Sequence, residues 1–431
     1  MASGLFMLPK KGAMMCKRVF HSPIVFVVFF LAAGARELSA WGKTWMGLAL
    51  RQVVSSAKWK FGPLRIDPVF YLRDAGYDTN LYYGSRGDPV KDYTVTLGPG
   101  FSVYLPLKKK VILQIIESPQ YVYCHETKKE RAWNNYLDAR VQFALNKVFL
   151  SIGGKLTSAR QRWGTEVDIR PRRREETYDG ALLWQATRKT SFFIQGSRTL
   201  YDYENLEFDV FNLRDRLNRR EDRLSFRSYY QLSPRARLFI EGAYGSFTFR
   251  NEVARTKDSR SYDFSGGLEF APLGVVRGQV RLGYKIFEPL ERTRTRFRGL
   301  AGDSWLSVRL LRFLTVRTSY SRNVQFSVWY DNAYYVESRT GGGASLYLFK
   351  TIRLDYDYGA GRNRYPESQV LTPGTQVKRR DNYSVNSVGL YFRLKKNIGV
   401  GLIASRWNRD SNLAWEIDDR DFIGLNLTYD F

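Results

Sequence analysis

Few side chains in this sequence are equipped for covalent or metal chemistry, and many are equipped to hold anions. The cysteines are Cys16 and Cys124, and the histidines are His21 and His125. Cys124-His125 brings one thiol beside one imidazole, without a second Cys or His downstream to complete a ligand set. A nucleophile–base pair could draw only on His125. Gly341-Gly-Gly343 begins a strand with no helix behind it, so it reads as a bend or a small-residue lumen contact and not as a phosphate loop. No enzyme activity, metal or cofactor is expected. Arginine is the abundant functional group. Arg140, Arg223, Arg227, Arg237, Arg281, Lys285, Arg309, Arg317, Arg353 and Arg393 all fall on the polar phase of alternating segments. Guanidinium groups grip carboxylates in two-pronged fashion. Interleaved acids are fewer: Asp138, Glu241, Glu269, Asp355 and Asp357.

What must position these residues is a series of strands. In 223–232, Leu224, Phe226, Tyr230 and Leu232 alternate with Arg223, Ser225, Arg227 and Gln231. The stretches 137–145, 314–321 and 352–358 alternate in the same way, which marks strands with one apolar and one wet face. Short turns punctuate them at 106–110, 146–147, 187–190, 233–236, 272–274, 312–313, 349–351 and 395–397, roughly 38 to 46 residues apart, as a repeated supersecondary unit requires. Between them run longer charged loops, among them 170–174, 212–216, 291–296 and 363–366. Eight turn-linked pairs, a leading strand near 66–73 and a closing strand 422–431 give eighteen strands. Sixteen is the alternative if the first hairpin, 66–105, is irregular, since Pro68, Pro99 and Pro106 interrupt it. The expected fold is all-β: a transmembrane antiparallel up-and-down β-barrel with short periplasmic turns and long extracellular loops.

The two ends agree with export to an outer membrane. Lys10, Lys11, Lys17 and Arg18 precede the apolar run Ile24–Leu31, and Ala33-Gly34-Ala35 offers a cleavage site, so residues 1–35 read as a signal peptide. A second possible cut follows Ala40. Cys16 and His21 would leave with the signal. Residues 36–64 carry Trp41, Trp45, Leu48, Leu50, Val53 and Val54 and read either as a mobile periplasmic leader or as a short helix that plugs the barrel or rests at its mouth. Residues 65–431 are the barrel. At the far end Ile423, Leu425, Leu427, Tyr429 and Phe431 alternate with Gly424, Asn426, Thr428 and Asp430, and the strand closes on an aromatic. Such an ending resembles the C-terminal insertion signal of bacterial outer-membrane barrels.

The formal charge is +26. Removing the four cations of the signal, which has no acid, leaves +22. A signal peptide and a strand-only pattern argue against a nucleic-acid binder. The negative mean hydropathy does not exclude a membrane protein, because a barrel needs apolar residues at only every second strand position.

Residues 66–105 contain Ile-Asp-Pro-Val-Phe, then Gly76-Tyr-Asp-Thr-Asn80 and Tyr93-Thr-Val-Thr-Leu-Gly-Pro99-Gly. This opening, and the hairpin Leu232-Ser-Pro-Arg-Ala-Arg-Leu238 followed by Phe-Ile-Glu-Gly-Ala-Tyr244, resemble the outer-membrane β-barrel porin family associated with exopolysaccharide and exosortase gene clusters. The resemblance implies a Gram-negative outer-membrane channel and an association with surface polysaccharide. From the residues themselves, the expected anion pathway is Arg140, Arg223, Arg227, Arg281, Lys285, Arg309, Arg317, Arg353 and Arg393 lining a water-filled lumen. A positive wall would concentrate anionic solutes or pass an anionic polysaccharide. Alternatively these cations pair with the acids and brace the wall. Two other functions stay open, a non-conducting component of an envelope complex and a barrel enzyme acting on outer-membrane lipid. Expected partners are outer-membrane lipid and lipopolysaccharide, the insertion machinery, and an anionic polysaccharide with its periplasmic export partners.

Overall fold

The computed structural model describes Leu50 and residues 54–431, apart from 109, 163, 167, 209–210, 271–273, 350 and 373–374. The signal peptide and most of the leader lie outside the described residues. Eighteen antiparallel strands form one closed sheet. They are β1 (Leu64–Asp78), β2 (Asp92–Lys108), β3 (Val111–Glu117 resuming as Gln120–Cys124), β4 (Ala132–Ala144), β5 (Val148–Arg160) and β6 (Arg172–Gln185). Then come β7 (Thr190–Tyr203), β8 (Arg219–Ser233), β9 (Ala236–Phe249), β10 (Ser259–Phe270), β11 (Val276–Pro289) and β12 (Phe297–Arg309). The last six are β13 (Leu314–Phe326), β14 (Tyr334–Leu348), β15 (Ile352–Arg364), β16 (Arg380–Lys395), β17 (Ile398–Ser411) and β18 (Asp418–Asp430). Each pairs with its sequence neighbours, and β1 pairs with β18 from Val69↔Asp430 to Asp78↔Phe422, which shuts the ring. Closure removes both sheet edges.

The paired strand ends place all eight chain reversals where the breaks in alternation fall. Local chemistry explains why the chain reverses there. Thr187 Oγ1 accepts from the backbone N–H of Lys189 and Thr190, and Ser233 Oγ accepts from that of Arg235. The prolines of the first hairpin do not cost the barrel its two strands. Its irregularities are a bulge in β1 between Arg73 and Gly76 and the Ser118-Pro119 break in β3. At the bulge Asp74 takes a positive φ, and its N–H is satisfied by Asn426 Oδ1 at 2.8 Å. Gly76 sits there so close to the Ile423 carbonyl that a Cβ would collide with it.

Several boundaries differ from the sequence reading. The first strand runs on to Asp78 and the closing strand already begins at Asp418, while Arg172–Arg174 belong to β6 and Asn363 and Arg364 to β15, and not to the loops beside them. The Gly341–Gly343 run does not begin a strand; it occupies the middle of β14.

Leu224, Ile240, Phe264, Leu282, Leu300 and Leu402 are exposed on the outer face, as a lipid-facing wall demands. By the convention of outer-membrane barrels the eight tight turns face the periplasm and the nine longer connections face outward. Epitope tags inserted near Asp215, Arg294 and Pro366 are therefore expected to be labelled on intact cells. Tags at Pro234 and Lys396 are expected to stay hidden until the envelope is permeabilised, and the reverse pattern would overturn the orientation.

Candidate functional site

Register decides which side chains face the lumen. Residues that pair across strands share a face. The partners of outward Leu224, Leu354 and Ile423 are apolar or small, whereas Arg223, Arg353 and Asp355 stand one step along the strand from Leu224 and Leu354. On this reckoning Arg140, Arg223, Arg227, Arg281, Lys285, Arg309, Arg317, Arg353 and Arg393 share the inner phase. Ile423, Leu425, Leu427 and Tyr429 share the outer one. Phe431 follows the last strand, with its ring 4.8 Å from Tyr429 and 5.8 Å from Trp59.

Most of the inner cations meet carboxylates. Arg140 binds Asp138 at 2.8 Å and lies 3.6 Å from Asp179. Glu241 serves two guanidiniums, Arg227 (Nε, 2.6 Å) and Arg281 (3.4 Å), and Arg281 also binds Asp303. Asp263 serves Lys285 at 3.0 Å and Arg223 at 3.9 Å. Arg237 pairs with Glu269 at 2.5 Å, Arg317 with Asp357 at 2.8 Å and Arg353 with Asp355 at 2.9 Å. Arg393 donates to the Lys396 carbonyl at 2.8 Å. The wall is thus a ladder of ion pairs. It is much less one-sided than the sequence reading implied, because that reading left out Asp179, Asp263 and Asp303. A local positive surplus remains at Asp263, which two cations share, whereas Asp303 balances the second guanidinium at Glu241.

Four of these pairs step over an intervening strand, and a small residue marks each crossing. Arg140 on β4 reaches Asp179 on β6 across Gly153, which pairs with both. Arg317 on β13 reaches Asp357 on β15 across Gly343. Arg223 reaches Asp263 beside Gly245 and Ala243, and Arg281 reaches Glu241 beside Gly267 and Ser265. A Cβ on Gly343 would strike the Asp357 carboxylate, and one on Gly153 the Arg140 side chain. The glycine run set aside as a phosphate loop is therefore the gap through which an ion pair closes.

Both ends of the lumen carry additional structure. At the tight-turn end, inward-facing Tyr104, Ile112, Phe149, Leu183, Phe193 and Phe239 form an apolar patch, and Leu50 and Val54 of the leader are buried in it. A short strand, Trp59–Phe61, then pairs with the start of β1, and Lys58 lies 3.4 Å from Asp430.

At the long-loop end the connection 161–171 crosses the mouth. It leaves β5, and its Thr165 is held on the far side of the ring by Arg409 Nη1 (to the carbonyl, 2.6 Å) and Asn363 Nδ2 (to the hydroxyl, 2.6 Å). Arg409 also binds Asp168 at 2.9 Å, Glu416 at 3.2 Å and Asp418. Next to Thr165, Glu166 is fully buried and accepts from Ser327 Oγ at 2.6 Å and from the Val328 N–H at 2.9 Å. Lys257, also fully buried, donates to the Ser327 carbonyl at 2.6 Å. Burial drives the Glu166 carboxyl up and the Lys257 ammonium down. Leu213 and Leu217, on a short helix capped by Asn212, pack with Val328 and Tyr203 beside this crossing.

Cys124 is buried with Leu81 and Val122, with Arg170 Nη1 3.8 Å from its sulfur. His125 is exposed, with its imidazole 3.6 Å from Glu126. Among the described residues no cluster of metal-ligating side chains occurs.

The family model described as "Putative beta-barrel porin 2" matches residues 189–431. That is more than half of the chain and spans twelve of its eighteen strands, β7 to β18, including the closing strand. The chain belongs to this β-barrel porin family. As a family member it is an outer-membrane β-barrel of the porin kind. Among curated proteins no sequence matches it. Solved porins align along most of its length at low identity. A BenF-like porin from Pseudomonas fluorescens Pf-5 shares 11% identity at a TM-score of 0.48, over 86% of this chain and 99% of that one. Pseudomonas aeruginosa OccK2 (OpdF), solved in complex with glucuronate, shares 11% at 0.48, over 87% and 100%. Pseudomonas aeruginosa OpdK shares 10% at 0.48, over 85% and 98%.

Proposed function

We propose that this family member is a passive channel for small hydrated solutes, with a weak preference for anions. The observation that carries the reading is the lumen wall. Ion-paired arginines line a ring of eighteen strands, a size that encloses water and not a packed core, and Arg223 and Lys285 share the one carboxylate of Asp263. The surplus supports an anion preference, and the pairing keeps it modest. Export of a continuous anionic polysaccharide, which the family resemblance suggested, is the less favoured substrate. A polymer needs an open bore, and the 161–171 crossing lies in its way. A second reading, a non-conducting component of an envelope complex, is favoured by the same crossing together with the leader seated at the other end.

Reversal potentials across planar bilayers separate these readings. At low salt, where screening is weakest, wild-type protein is expected to prefer anions slightly. Changing both Arg223 and Arg227 to Glu should turn the preference severalfold toward cations while the heat-modifiable gel shift of a folded barrel persists. Equal cation and anion permeability of the wild type would remove the electrostatic part of the proposal. Silence under all conditions would put the non-conducting reading in its place.

A further inference from the structure

Beyond conduction, the outer wall carries a polar groove on the side that faces lipid. It is about 600 Å³ in volume and is lined by Arg322, Arg362, Arg364, Asn382, Asn408 and Asp410, among others. Its floor follows the pairing register. Arg322, Ser338, Arg362, Asn382 and Asp410 form one row across five strands, and Thr340, Ala360, Ser384 and Asn408 form the next. The second row has short side chains, which is why the surface is concave there. Both rows share the outward phase of Leu354, Tyr356 and Val388. They lie toward the long loops, just beyond the exposed rings of Tyr356 and Tyr358, and the exposed Tyr320 stands at the end of the second row. Tyrosines at that height mark the boundary between hydrocarbon and headgroups.

The three arginines differ from several other outward arginines of the same belt. Those are supplied with a carboxylate: Arg198 and Arg220 share Asp222, Arg298 has Glu288, and Arg406 has Asp421. Around the groove Arg362 Nε donates to Asn382 Oδ1 at 2.7 Å, and Arg322 Nε is buried without a hydrogen-bond partner. A buried, unmatched guanidinium N–H is costly unless an acceptor arrives.

We propose that this groove binds the phosphorylated headgroup of an outer-leaflet glycolipid. Arg322, Arg362 and Arg364 would hold phosphate, and Asn408, Thr340 and Asp410 would meet sugar hydroxyls. The acyl chains would continue down over Tyr358. A free phosphate ion would fill only a small part of the volume and would leave the aromatic lower rim unused.

The test uses the full-length purified barrel and native mass spectrometry with bis-phosphorylated lipid A, its dephosphorylated form and inorganic phosphate as competitor. Lipid A adducts are expected on the wild type. They should be at least about tenfold weaker in R322Q/R362Q/R364Q, and weaker by a similar factor with the dephosphorylated lipid. The R198Q/R220Q variant controls for general surface charge and should retain lipid as the wild type does. Equal retention by the triple variant, or equal loss in the control, would overturn the site. Displacement by millimolar inorganic phosphate would show an ion site in place of a lipid site. The heat-modifiable shift verifies folding, and the lipid readout is independent of conduction.

Discussion

Replacing residues 162–168 by a short Gly-Ser turn is expected to raise single-channel conductance severalfold. This connection crosses the mouth, and its anchors are long-range: Thr165 on Arg409 and Asn363, Asp168 on Arg409, and Glu166 on the Ser327-Val328 backbone. None of these contacts contributes to a strand ladder, so the ring should assemble without them. A point variant tests the same latch more gently. Arg409→Met removes a fully buried guanidinium that serves Asp168, Glu416 and Asp418. Breaking a buried pair by deleting one partner typically costs about 3–5 kcal/mol, more than a single loop can absorb while keeping its place. We expect larger, noisier openings and new trypsin cleavage at Arg162. If both variants conduct and resist protease as the wild type does, the crossing does not limit the pore.

The second large effect is expected at the lipid face of the closing strand. Ile423→Arg and Leu425→Arg each place a cation on the outer phase of β18, where a charge near the bilayer midplane costs roughly 2–4 kcal/mol. Together they should reduce the heat-modifiable outer-membrane species to a small fraction of the wild-type level. Ser405→Arg, on the inner phase of the neighbouring strand, should be tolerated because the lumen keeps it hydrated. Deleting Phe431 should also reduce insertion. It removes the ring that packs on Tyr429 and Trp59 and the terminal aromatic on which the insertion machinery is expected to act. Wild-type levels of both variants would refute the assignment of this face and this signal.

These outcomes follow from the part of the fold that sequence displays best. Strand phase is legible because water and lipid sort side chains two residues apart, and Ser233-Pro234 or Thr187–Thr190 interrupts that sorting with turn chemistry of its own. Other features were hidden for definite reasons. Phe149, Leu183, Phe193 and Phe239 face inward yet are apolar, and each sits beside an outward apolar residue. The resulting runs, such as Phe192-Phe193-Ile194, blur the alternation where the leader docks. They are the one local clue to that patch, visible only if doubled apolar residues beside a tight turn are taken as signal. The crossing at 161–171 left no periodic trace at all, because it is held by partners as distant in sequence as Asn363 and Arg409. The acids Asp179, Asp263 and Asp303 are not legible as partners in the sequence because they stand on strands adjacent to or beyond those of their cations.

The ion pairs that step over a strand also have a mechanical consequence. Hydrogen bonds fasten each strand to its immediate neighbours and leave every joint free to hinge, so a wide thin-walled tube can flatten into an ellipse without breaking any of them. A tie between the first and third of three adjacent strands resists that hinge, as a brace across a joint does. Arg140–Asp179, Arg223–Asp263, Glu241–Arg281 and Arg317–Asp357 are four such braces, three of them on the arc from β4 to β11. That arc should hold its curvature under lateral membrane pressure, and ovalisation of the cross-section should concentrate elsewhere on the circumference.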